Sequence, residues 1–312
     1  MRGEATPAEI AALLMGLRAK GETGEEIAGA ARALRQAMLP LAANNADQLV
    51  DTCGTGGGRV GTLNISTAAA LLTAGSDIPV AKHGNRSYTS RSGSADVLEA
   101  LGIDIRLSPG RAAEVLRQAG LVFLFAPTYH PAMRHVSAVR KELRVATVMN
   151  LLGPLVNPAG VRRQVIGVAD EERAPLVAHA LLRLGTLHAL VVHATIGMDE
   201  ISPSGSTKVW EIRDDRIQEW EIDPGRYGMA SDDLEGLAGG EPAENAERIR
   251  QVLQGGGAAV ERKAVILNAA AALYVSGRGW SYEESVDRAR RALAHSCGAD
   301  ALARLRAAAP AA

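Results

Sequence analysis

Asp51-Thr52-Cys53-Gly54-Thr55-Gly56-Gly57-Gly58-Arg59 sets four glycines within five positions, after the apolar pair Leu49-Val50 and before a helix-like run over residues 65–74. A strand, a glycine loop and a helix in that order bring backbone N–H groups and the positive end of a helix to one point, an anion site. The same rhythm continues outward. Residues 78–81 read as a strand ending at Lys82, residues 94–101 as a helix stopped by Gly102, and residues 103–107 alternate as a strand. Ser108-Pro109 opens a helix that closes at Gly120, and residues 122–126, 165–169 and 189–193 are further strands. This βαβ alternation predicts an α/β fold with a mostly parallel sheet. Residues 209–222 add a hairpin turning at Asp214-Asp215.

Both ends are helical. Thr6 with Glu9 and Thr23 with Glu26 are capping boxes for two helices reaching about Met38, and Asn44-Asn45 marks a loop. Residues 131–143 read as a helix followed by an irregular stretch, 150–158. Helices over 245–253, 262–275 and from Tyr282 onward close the chain.

Composition narrows the function. Glycine supplies 33 of 312 residues, above the usual share of about 7%, while Phe, Tyr and Trp number 2, 5 and 3. That balance suits phosphate loops better than a base-stacking surface. The formal charge of −1 argues against nucleic acid as the main partner. No apolar run is long enough to span a membrane, and Met1-Arg2-Gly3-Glu4 begins no signal-peptide core. Two cysteines make no disulfide framework, so a reduced, cytoplasmic protein is expected.

Gly56-x-Gly58-x-x-Gly61 fits the dinucleotide fingerprint, but the next strand ends in Lys82-His83 where that fingerprint needs an acid. No GxxxxGK[ST] loop occurs. A second polar loop, Lys82-His83-Gly84-Asn85-Arg86-Ser87-Tyr88-Thr89-Ser90-Arg91-Ser92-Gly93-Ser94, carries three cations and five Ser/Thr hydroxyls at an equivalent strand end. Two such loops imply a ligand with more than one phosphate. Gly197-Met198-Asp199-Glu200 follows a buried strand, and adjacent carboxylates there suit Mg²⁺, with Ser66 as a third oxygen. In residues 135–143, helical spacing turns Val136 and Val139 to the core. Arg140 is either a solvated residue or a carboxylate clamp.

With Gly54-Thr55-Gly56-Gly57, Asn64-Ile65-Ser66-Thr67, residues 82–102, His130-Pro131-Ala132-Met133, Val139-Arg140-Lys141-Glu142-Leu143, residues 150–155, Asn157-Pro158-Ala159 and Asp199-Glu200 in this order, the chain resembles the anthranilate phosphoribosyltransferases. The resemblance runs from Gly3 to about Ala303. It implies a small helical domain, residues 1–46 with about 131–162, packed on a larger α/β domain, residues 47–130 with about 163–312. It implies transfer of 5-phosphoribosyl from phosphoribosyl pyrophosphate to anthranilate with Mg²⁺, in tryptophan biosynthesis, by a homodimer. Carried over by position, Gly54, Gly57, Gly58, Thr62, Asn64, Ile65, Ser66, Thr67, Lys82, His83, Gly84, Asn85, Arg86, Ser87, Tyr88, Thr89, Ser90 and Ser94 cradle phosphoribosyl pyrophosphate. Ser66, Asp199 and Glu200 hold Mg²⁺, and Gly54, Asn85 and Arg140 contact anthranilate. No residue is an obligatory general base; His83 is the candidate.

Two departures stand out. The family loop usually ends in Asp where this chain has Gly58, followed by Arg59, whose charge is expected to replace part of one metal's. A further family helix before residues 3–21 is missing, and it bears on dimer contacts. Two alternatives are a pyrimidine nucleoside phosphorylase-like enzyme and a non-catalytic nucleic-acid-binding relative. In the first, Ser and a Thr-Gly-Gly run follow Lys-His, whereas Gly84-Asn85-Arg86 follow here. The second should be basic, with degraded metal and acceptor residues.

Overall fold

A computed structural model describes residues 2–43, 45–58, 60–87 and 91–311. Thr6 and Thr23 each accept the backbone N–H three residues on, while Glu9 and Glu26 reach back to the cap, opening α1 (Pro7–Lys20) and α2 (Gly24–Ala37). Such caps stabilise a helix by about 1 kcal/mol each. β1 (Val50–Gly54) leads through the glycine loop into α3 (Ile65–Gly75), and β2 (Val80–Gly84) leads through the second loop into α4 (Ser94–Ala100). Next come α5 (Pro109–Ala119), β3 (Leu121–Phe125) and a helical interlude of α6 (Ala126–Tyr129), α7 (Arg134–Leu143) and α8 (Met149–Leu152). β4 (Arg163–Gly167), α9 (Ala174–Arg183) and β5 (His188–Ala194) resume the alternation, and β6 (Thr207–Arg213) and β7 (Arg216–Ile222) form the hairpin. α10 (Pro242–Leu253), α11 (Ala259–Val275), α12 (Tyr282–Ala294) and α13 (Cys297–Ala308) complete the fold.

The seven strands lie in the order β3-β2-β1-β4-β5-β6-β7, the first five parallel and the last two antiparallel. Positive φ at Asp214 and Asp215, 50° and 54°, makes the turn expected there. Side chains alternate between two cores, as strand geometry requires. Leu190 and Val192 join α3 and α11 in the larger core. Ala189 and Val191 face α9 and a second core holding Leu14, Ile27, Leu34, Val136 and Leu151 of the helical segments. A small N-terminal helical domain thus sits against an α/β domain.

Several elements differ from the sequence reading. Residues 103–107 form no strand; Ile103, Ile105 and Leu107 are buried, but Ile103 makes only an isolated bridge to Pro310. Their alternation records one-sided burial beneath the C-terminal tail, with no neighbouring strand to pair. The helix expected over 131–143 begins at Arg134, after a 3₁₀ turn at Pro131–Met133. The stretch called irregular, 150–158, contains most of α8 and a 3₁₀ turn at Gly153–Leu155 that Pro154 initiates. The last helix breaks at Ser296, φ 56°, into α12 and α13.

The strand order positions the site. The chain proceeds from β1 toward one edge and from β4 toward the other, so the carboxyl ends of these two strands open a crevice. Gly54 and Gly167, the last residues of β1 and β4, are register partners at its floor.

Candidate active site

Three glycines let one carboxylate close on the loop. Gly56 N–H donates to Asp199 Oδ2 at 3.0 Å. A Cβ on Gly54 would lie 2.8 Å from Asp199 Oδ2, one on Gly58 3.0 Å from Asp199 Oδ1, and one on Gly167 would run into the Asp199 carbonyl. Gly56 and Gly57 take φ of 70° and 83°, which glycine alone adopts without strain. Asn268 of α11 pins the acidic turn from below, accepting the Ile201 N–H at 3.0 Å and donating to the Ile201 carbonyl at 2.8 Å.

Glu200 accepts the Ser66 N–H at 3.1 Å, at the positive end of α3. Burial and the Asp199 charge push its carboxyl up to about 8, against Lys82; burial pushes Asp199 up as well. Two adjacent half-buried carboxyls beside the Ser66 hydroxyl form a hard-oxygen donor set that a divalent cation would relieve of like-charge repulsion. Ser66, Asp199 and Glu200 therefore fit Mg²⁺, which takes one or two carboxylates and completes its shell with water and phosphate oxygens.

Lys82 approaches from behind. Its buried ammonium donates to the Thr52 carbonyl and to Ser66 Oγ, the latter at 3.3 Å, so it orients Ser66. Burial pushes it down and Asp51 opposes that; the Asp51 carboxyl, raised by burial, is held by the His83 N–H at 3.1 Å and by Asn157 Nδ2 at 2.8 Å. The same Asn157 nitrogen reaches the Ala81 carbonyl at 2.8 Å.

His83 has both ring nitrogens engaged. Nδ1 lies 3.0 Å from the Gly153 carbonyl and Nε2 lies 3.2 Å from His130 Nε2. A carbonyl can only accept, so Nδ1 carries the proton and His130 Nε2–H donates to His83. Burial and His130 hold His83 at about 3, and burial holds His130 at about 4. His83 is a neutral joint between the second loop and the helical segment, and leaves no lone pair for a reacting proton.

Arg86, expected at the phosphates, is paired with Asp96 and Glu99, each at 2.6 Å, and lies over the Phe125 ring. Ser87 N–H reaches Asp96 Oδ2 at 3.4 Å, and a Cβ on Gly93 would strike Ser87 N, so this loop closes on itself. Asn85 accepts the Arg86 N–H at 2.8 Å through Oδ1, and its carbonyl accepts from Ser94 Oγ at 3.3 Å. A Cβ on Gly84 would meet Ser94 Oγ. Ile65 points into the core, and Thr67 is buried with a hydroxyl that has no partner among the described residues. Thr62 lines a cavity of about 320 Å³ with Gly61, Arg91, Ser92, Gly239 and Asn245. Arg140 sits half-buried in the last turn of α7, with Val136 and Val139 in the core as their spacing required. Arg59, Tyr88, Thr89 and Ser90 lie outside the described residues.

The sequence reading missed Gly167, Asn268 and Asn245 altogether, and gave no role to Asp51, Asn157 or His130. An asparagine inside the apolar run of residues 264–273 was a usable signal, because a buried amide needs partners.

Comparison with known proteins defines the class first. Residues 46–299 match the glycosyl transferase family a/b domain and residues 1–38 its helical bundle domain, so this is a two-domain glycosyl transferase fold. The chain is 48% identical to an anthranilate phosphoribosyltransferase of Rubrobacter xylanophilus, covering 97% of this chain and 88% of that protein. It is 46% identical to one from Haloarcula marismortui, covering 96% and 90%. The crystal structure of anthranilate phosphoribosyltransferase from Thermus thermophilus superposes with a TM-score of 0.93 at 44% identity, over 98% of this chain and 91% of that one. The Saccharomyces cerevisiae enzyme in complex with PRPP (phosphoribosyl pyrophosphate) and Mg gives 0.88 at 29%, over 97% and 85%. The chain belongs to the anthranilate phosphoribosyltransferase family. Among the described residues, no helix is long and apolar enough to cross a membrane.

Proposed function

We propose that this chain transfers the 5-phosphoribosyl group from PRPP to the amine of anthranilate, releasing pyrophosphate. The observation that carries the reading is Asp199 and Glu200 docked against the glycine loop and the N-terminus of α3. Ser66, Asp199 and Glu200 would hold Mg²⁺, which when bound supplies positive charge to the diphosphate. The N-terminus of α3 lies at the same carboxylates, so negative charge developing on the leaving group would meet a positive helix end already in place. Thr62, Asn64 and Ser94 would belong to the cradle of PRPP, and Asn85, Gly54 and Arg140 would orient the acceptor, with Arg140 on its carboxylate. The amine nitrogen bonds to the ribosyl carbon as the bond to pyrophosphate oxygen breaks. The arylammonium so formed is acidic and gives its proton to water, so no protein base is required. This agrees with the fully engaged His83.

The intact metal pair and acceptor residues disfavour the nucleic-acid-binding alternative, and Gly84-Asn85-Arg86 disfavours the phosphorylase. A homodimer belongs to the same reading; Leu13 and Val145 leave apolar side chains exposed, at 64% and 41%, and sedimentation would measure the pairing. Pyrophosphate release tests the activity. It is expected only when PRPP, anthranilate and Mg²⁺ are all present, and release that ignores anthranilate would refute the acceptor.

A further inference from the structure

The glycine loop is held from outside by a strap that takes no part in the reaction just described. Residues 237–240 run antiparallel to its exit: Leu63 N–H donates to the Leu237 carbonyl at 2.9 Å, and Gly239 N–H to the Gly61 carbonyl at 3.1 Å. Thr62 and Ala238 form the bridge between them. A Cβ on Gly239 would collide with the Thr62 carbonyl, so the contact depends on a bare backbone. α10 anchors the strap with two side chains three residues apart. Arg248 donates to the Gly236 carbonyl at 2.7 Å and is itself held by Glu261 at 2.6 Å.

Asn245 goes further. It is 1% exposed, accepts the Gly240 N–H through Oδ1 at 2.8 Å, and donates through Nδ2 to Asn64 Oδ1 at 3.0 Å. Asn64 donates in turn to the Ser92 carbonyl at 3.0 Å and accepts from Ser92 Oγ at 3.3 Å. Asn64 is the N-cap residue of α3, yet its side chain makes no cap bond. Its amide is spent on tying the first phosphate loop to the second, and Asn245 fixes which way that amide faces.

We infer that Asn245 is a positioning residue for PRPP: through Asn64 it sets the spacing of the two phosphate loops across the cavity they share. The inference rests on the function proposed above. Its chemistry is preorganisation, since loops held apart at the correct distance need no ordering when the diphosphate arrives.

The test measures PRPP with Mg²⁺ binding to full-length wild type and to Asn245→Ala and Asn245→Asp by calorimetry, alongside steady-state kinetics. Asn245→Asp keeps the acceptor for Gly240 and the shape of the side chain but sets a carboxylate oxygen against Asn64 Oδ1, so it reports on positioning even if Asn245→Ala fails to fold. Expected is a rise of about tenfold in Kd and KM for PRPP in both, with kcat and the anthranilate KM within about twofold. A lowered melting temperature with unchanged KM for PRPP would make Asn245 merely structural and overturn the inference. PRPP binding equal to wild type in Asn245→Asp would overturn it too. Wild type that binds no PRPP would instead remove the proposed function itself.

Discussion

His83 Nε2 and His130 Nε2 lie 3.2 Å apart, a hydrogen bond between two neutral imidazoles that joins the second phosphate loop to the helical segment. Their folded values, about 3 and about 4, sit below the ordinary 6.5. Between those limits the unfolded chain binds more protons than the folded one, so stability is complete above about pH 6.5 and falls as pH drops through that range. The slope approaches about 2.7 kcal/mol per pH unit for the pair. Thermal unfolding between pH 7 and 5 should show this decline, and His130→Gln should roughly halve it. A melting temperature flat across that interval would contradict the joint.

Gly167 has no room for a side chain because the Asp199 backbone lies against it. Gly167→Ala should leave the circular dichroism spectrum intact and displace Asp199, lowering the Mg²⁺-dependent rate by about 100-fold, the scale of an ångström-sized misplacement. Unchanged turnover would show that Asp199 needs no such seat.

Asn157 bridges the buried Asp51 carboxylate and the Ala81 carbonyl. Asn157→Leu strips one donor from a buried charge and should cost about 3 kcal/mol in urea unfolding. A loss below about 1 kcal/mol would mean that the His83 N–H and the Lys82 charge suffice for Asp51.

Arg140 lies in the last turn of α7 with Val136 and Val139 in the core, and the proposed role asks it for a planar, two-pronged grip on a carboxylate. Arg140→Lys keeps the charge and loses the fork. The anthranilate KM should rise about tenfold while the PRPP KM stays put. Equal effects on both would place Arg140 at the phosphates instead.

What could be read in the sequence was what local chemistry dictates. The capping boxes at Thr6 and Thr23 form as their residue types require. The strands, the Asp214-Asp215 hairpin and the two loops at carboxyl ends followed from alternation and glycine placement. The strand that failed, residues 103–107, shows the limit: burial period reports which side faces the core, and pairing depends on a partner elsewhere in the chain. At the site, Lys82 and Arg86 were carried over by resemblance as contacts of phosphoribosyl pyrophosphate. In the fold Lys82 also reaches Ser66 and Arg86 also pairs with Asp96 and Glu99, contacts that no spacing rule foretells. Gly167 and Asn245 act through residues 32 and 181 positions away, Asp199 and Asn64, so only the packed fold could reveal them.

The central claim is that Asp199 and Glu200 serve the transfer of phosphoribosyl to anthranilate. The most direct measurement follows anthranilate fluorescence with purified protein, PRPP and Mg²⁺, for wild type beside Glu200→Gln. The account predicts loss of signal in wild type that requires all three components, with the rate at least about 100-fold lower in Glu200→Gln. A flat trace from folded wild type, or equal rates in the two proteins, would contradict it.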